Sequence, residues 1–93
     1  MFIHLAVHYP RPGRAEELLA SMMRVDAAAQ GAPGLIEMGA WRDAGSGALI
    51  GLARWESAAA WEAAAERIFS VVANDPFDEW CERPPQVFHL TQP

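Results

Sequence analysis

The chain has 93 residues, 52% of them hydrophobic and 20% charged, with a formal net charge of −5. That composition describes a globular protein, a single domain over residues 1–93 with one modest core, and excludes a disordered chain. Seven basic residues against twelve acidic ones leave no excess of cations for phosphates, which argues against a nucleic-acid partner.

Phe2 to Tyr9 reads as a first strand, with Ile3, Leu5 and Val7 on one face and His4, Ala6 and His8 on the other. Pro10, Pro12 and Gly13 end it, because proline cannot donate to a ladder. A helix follows from about Arg14 to Gln30. Leu18, Met22, Val25 and Ala29 form its apolar stripe, and Glu16, Glu17 and Asp26 include solvent-facing positions. Gly31 suits its C-terminal end. Leu35 to Arg42 reads as the second strand, with Leu35, Glu37, Gly39 and Trp41 on one face and Ile36, Met38 and Ala40 on the other. Asp43 to Gly47 then forms a glycine-bearing hairpin loop. It leads into a strand and not into a helix N-terminus, so it is not read as a phosphate loop.

Ala48 to Trp55 is a short apolar run, expected to be a strand buried on both faces. Ser57 follows as a helix N-cap, since its hydroxyl can accept from a free backbone N–H two or three residues on. Alanine-rich sequence favours the helix beyond it, with Trp61, Ala65, Ile68 and Val72 on one face. Asn74-Asp75-Pro76 resembles another helix start, with Asn74 or Asp75 as cap and one or two turns through Phe77, Trp80 and Cys81. After Pro84-Pro85, Gln86 to Thr91 alternates as a last strand, placing Val87, His89 and Thr91 opposite Phe88 and Leu90.

The order strand, helix, strand, strand, helix, strand predicts an α+β, ferredoxin-like βαββαβ fold. Its antiparallel sheet takes the spatial order 4-1-3-2, with both helices on one face. Odd and even strand positions are both largely apolar, so the face without helices needs a cover, and a second copy of the chain is the expected one. Cys81 is the only cysteine, which excludes an intramolecular disulfide. No apolar run approaches the ~20 residues of a bilayer span, and the N-terminus lacks signal-peptide character. The reading is therefore cytoplasmic, with no membrane partner.

Three motifs fall in a telling order: Pro12-Gly13 before the first helix, Ala32-Pro33-Gly34-Leu35 entering strand two, and Ala53-Arg54-Trp55-Glu56-Ser57 leaving strand three. With them the chain resembles the antibiotic biosynthesis monooxygenase-like family of dimeric α/β barrels. The resemblance implies a homodimer whose two sheets pack face to face, and a small-molecule cleft between sheet and helices in each protomer. Some members of that family oxygenate phenolic or quinol-type molecules with molecular oxygen and neither metal nor flavin, so no cofactor is expected. Others bind or degrade haem. Members often carry a histidine nine residues after the corner tryptophan, where this chain has Ala64. The haem degraders use a strand-one asparagine and a helix-two histidine, and this chain has neither, which argues against haem degradation.

Cofactor-free oxygenation needs a base, donors that hold the ligand's oxygen, and a dry pocket. His8 or His4 is the candidate base, and Trp55 and Trp41 are the candidate donors. Gly39, Gly51 and Ala53 would leave room for an aromatic ligand, with Trp61 and His89 beside it. Each has an ordinary counterpart: the tryptophans as core or interface anchors, His4 and His89 as a cross-strand pair, Arg54 and Glu56 as a rim ion pair. His4 and His8 lie about 13 Å apart along a strand, too far to chelate one metal, so no metal site is expected. The aliphatic strand face is the natural partner for helices, which would set the histidine face at the dimer interface. The resemblance instead puts the cleft on the helical side, and the residues alone leave both arrangements open.

Overall fold

The computed structural model describes residues Met1–Pro93. It contains β1 (Phe2–His8), α1 (Ala15–Ala29), β2 (Leu35–Arg42), β3 (Leu49–Trp55), α2 (Ala58–Ser70), a single turn α3 (Phe77–Trp80) and β4 (Gln86–Thr91). The strands form one antiparallel sheet in the order β2-β3-β1-β4, the expected ferredoxin-like arrangement. No helix is long and apolar enough to cross a membrane.

The register settles which face meets the helices. His4 lies opposite Ala53 and His89, and Ala6 lies opposite Gly51 and Val87. Directly opposed residues share a face. A side chain on Gly51 would come within 3.6 Å of Met22 on α1, so this histidine-bearing face is the one beneath the helices. The aliphatic face built from Ile3, Leu5, Val7, Ile50 and Leu52 has no helix over it. Accordingly β3 is buried on one side only: Leu49, Ala53 and Trp55 are buried, while Ile50, Leu52 and Arg54 are half-buried.

Strand β2 departs from simple alternation. Its register with β3 shifts between Leu35 and Glu37, where Leu35 faces Trp55 and Glu37 already faces Arg54. The extra residue reverses the facing of everything after it. Leu35 stays against the core, Met38 and Ala40 turn toward the helices, and Glu37, Gly39 and Trp41 pass to the open face. There Arg54 Nε meets Glu37 Oε1 at 2.9 Å, so the partner of Arg54 is Glu37 and not Glu56.

At the start of α2 the Ser57 hydroxyl accepts from the Ala60 N–H at 3.1 Å, the cap expected from the sequence. The Glu56 N–H donates to the Gly34 carbonyl at 2.8 Å, which ties this corner to the loop entering β2. Gly34 sits at φ +84, and a Cβ there would lie 2.6 Å from the Ala60 Cβ. Both the backbone angle and the close approach require glycine. On α2 the buried residues are Ala64 and Ile68, and Trp61 is only half-buried at the helix flank. Asp75 does not cap α3: its carboxylate accepts from the Ser21 hydroxyl at 2.7 Å and from Arg24. That contact fastens the α2–α3 connection to α1.

Two packed clusters result. One gathers Phe2, Val25, Ala29, Trp55 and Ile68, and the other gathers Leu18, Met22, Leu49, Trp80 and Cys81. They hold opposite ends of the helical layer against the sheet, and the space between them is not filled.

Candidate active site

That space is a cavity of about 470 Å³ between the sheet and the helices. Ala6, Gly51 and Ala53 line it along the middle of β1 and β3. Residues this small leave the volume above them empty, which is why a cavity forms over the middle of these two strands. Met22, Val25 and Asp26 line it from α1, Val72 from the connection fastened by Asp75, Phe77 from α3, and Val87 from β4. Most of the lining is apolar. Its titratable members are His4, His8 and Asp26, and no arginine reaches it.

His4 is heavily engaged. Its Nδ1 lies 3.0 Å from Nε2 of His89, one imidazole donating to the other. Its ring stacks on Trp61 at 5.3 Å between centroids and 21° between planes. Burial, then the nearby His89 and His8, push its pKa down to about 4, so the imidazole is neutral at pH 7. His8 is different. Its Nδ1 is buried with no hydrogen-bonding partner in the protein, while its ring lies roughly parallel to Phe77 at 6.4 Å. Burial alone lowers its pKa. The ion pairs of the chain all involve arginine, so no carboxylate holds His8 in its charged form.

Of the residues singled out from sequence, His4, His8, Gly51 and Ala53 come together around the cavity. His89 reaches it through His4, and Trp61 packs behind that pair, 4.6 Å from the His89 ring. The other three lie elsewhere. Trp55 is 1% exposed in the core, and its indole N–H points into packed protein without a partner. Trp41 is 65% exposed on the open face, with its indole beside Gly39, because the β2 bulge turned both away from the cavity. Asp26, Met38 and Phe77 line the cavity without having been singled out. Asp26 had a legible signal, since it stands four residues after Met22 on the stripe-bearing helix and borders the buried side. No group of three or more histidine, cysteine or acidic side chains is placed to hold a metal ion.

Solved structures share this fold. Rv0793 from Mycobacterium tuberculosis superposes with a TM-score of 0.83 at 20% identity, covering 98% of this chain and 93% of that one. PA3566 from Pseudomonas aeruginosa gives 0.79 at 17% identity, with coverage of 98% and 92%. A variant of MhuD with two manganese protoporphyrin IX molecules bound per active site gives 0.78 at 16%, with coverage of 99% and 94%. At these identities the likeness is one of fold. No curated protein matches the chain. The sequence profile described as antibiotic biosynthesis monooxygenase matches residues 1–67, from β1 through most of α2. The chain therefore belongs to the antibiotic biosynthesis monooxygenase family.

Proposed function

We propose that the cavity binds a small aromatic molecule of phenolic or quinol type, and that His8 is the base for its oxygenation by molecular oxygen without metal or flavin. The observation that carries this reading is the His8 ring at the wall of an apolar cavity, held there by no ion pair and with its Nδ1 unbonded in the protein. A neutral imidazole in that position can take the proton of a phenolic hydroxyl and leave an electron-rich ring. The apolar lining favours uptake of dioxygen and of an aromatic ring. Reaction of the phenolate with dioxygen at a ring C–H carbon then balances: that C–H bond and the O–O bond break, one oxygen atom becomes the new carbonyl of a quinone, and the other leaves as water with the ring hydrogen and the proton returned by the imidazole. His4 is the weaker base, because His89 and Trp61 already occupy it.

A second reading keeps the ligand and drops the turnover. Ala64 stands where many relatives have a histidine, and the His4–His89–Trp61 cluster is explained by packing alone. In that case the protein is a binding module of the same fold. A porphyrin is disfavoured in either case, since α2 has no histidine to ligate its metal and no arginine lines the cavity to receive carboxylates.

Two further points complete the proposal. Residues 1–93 act as one domain, because β4, beyond the matched residues, pairs with β1 along its length. Two copies pack through the open sheet faces into a homodimer. The support is that face itself, where aliphatic residues of β1 and β3 run on into Phe88 and Leu90, 45% and 42% exposed. Oxygen-uptake screening against phenols and quinols tests the activity. Uptake matching substrate loss, and lost in His8→Ala, supports oxygenation; ligand binding without uptake across the panel supports the module.

A further inference from the structure

The cavity is polar on both walls, but His4 is taken up by His89 and Ser21 by Asp75, which leaves two groups free for a ligand. On the sheet wall stands His8, and on the helix wall stands Asp26, the only acid that lines it. Nothing in the protein compensates the Asp26 carboxyl: burial is the one influence on its pKa, and it raises it. The acids nearby are used differently. Asp75 does not line the cavity, and its carboxylate is held by Ser21 and Arg24. A half-buried carboxyl without a protein partner, over an apolar floor of Ala6 and Gly51, is a hydrogen-bond acceptor waiting for a donor.

The geometry points to Asp26 as the residue that orients and selects the ligand, and to a neutral aromatic carrying two separated hydroxyls, one for His8 and one for Asp26, as the class the cavity takes. This rests on the binding reading above and deepens it. An anionic ligand is excluded by the same wall, since Asp26 repels it and no arginine is present to offset the charge. A hydroxyl is also cheaper to desolvate than an ammonium in so apolar a site.

Calorimetric titration of the whole protein with three probes of one size tests this: a naphthalenediol with its hydroxyls on opposite rings, naphthol and naphthoate. The diol is expected to bind roughly 10-fold tighter than naphthol, from one additional hydrogen bond to a carboxylate, and naphthoate is expected to bind most weakly. Asp26→Leu should erase the diol preference by weakening the diol alone. Asp26→Asn, which keeps the shape and removes the charge, should admit naphthoate by roughly 10-fold. A diol preference unchanged in Asp26→Leu, or naphthoate binding the unaltered protein as tightly as naphthol, overturns the assignment of Asp26 and leaves the cavity reading standing. Failure of all three probes to bind overturns both.

Discussion

Beneath the helices, β1 and β3 present His4, Ala6, Gly51 and Ala53, side chains too short or too polar to fill the space above them. On the opposite side the same two strands present Ile3, Leu5, Ile50 and Leu52, which are branched and nearly uniform in height. The covered face is therefore the one with the hole, and the uncovered face is the one built for close packing. Hydrophobicity alone does not say which side of a sheet its helices will choose. Helices here close over an uneven surface and leave a chamber, while a level aliphatic surface suits another sheet.

The contrast can be broken from either side. The largest effect is expected at His8. Its replacement by alanine should lower turnover of a responsive phenol by roughly 10²–10⁴-fold, the usual share of a general base, with sedimentation unchanged. Unchanged turnover would remove His8 from the chemistry. Next comes the centre of the open face, where Leu5 lies between Leu52 and Phe88. Leu5→Glu should weaken a sheet-to-sheet dimer by roughly 10²–10³-fold, because a charge in a dry interface costs several kcal/mol. Ligand affinity in the cavity should stay as it was. An unaltered protein that sediments as a single chain at micromolar concentration would contradict the dimer itself.

A third test uses acid. Folded His4 titrates at about 4 instead of the usual 6.5, so between those values the unfolded chain holds more protons. The stability linked to His4 is full above pH 6.5, declines as the pH falls toward 4, and levels off below. His8, lowered in the same direction, adds to the decline. His4→Gln should flatten the upper part of this slope in denaturant titrations. A slope unaltered by that substitution would mean that His4, whose pKa is lowered chiefly by its burial, does not govern it. The smallest effect is at the corner: Ser57→Ala should cost about 1 kcal/mol by loss of the N-cap and leave both faces intact.

Much of this was legible from local chemistry. The bounds of β2 and β4, the Ser57 cap and the His4–His89 pairing follow from alternation, capping preference and strand order. Trp41 and Gly39 were misplaced for one reason. A period of two carries a strand's facing forward only while the register holds, and the bulge after Leu35 ends that at Glu37. Leu35-Ile36-Glu37 contains no glycine or proline to mark the irregularity, which is set by the match with Trp55 and Arg54 on the neighbouring strand. Asp75 looked like a cap because caps are local, and its true partners lie 54 and 51 residues away. Trp61 falls on the predicted helix face, but its neighbours are the rings of His4, His89 and Phe2, so it closes an aromatic edge where a core position was expected.

The pairing of β1 with β4 joins opposite ends of the sequence, Phe2 with Thr91. Such a contact closes the longest loop in the molecule, and loop closure of that kind comes late and slowly in folding. During synthesis β1 can pair with β3 long before β4 has been made, which leaves one edge of β1 open and His4 without His89. For that interval a half-formed sheet offers both an unpaired strand edge and an aliphatic face to other nascent chains. Docking of the last strand is thus the step that completes the histidine pair and ends the period of greatest exposure to misassembly.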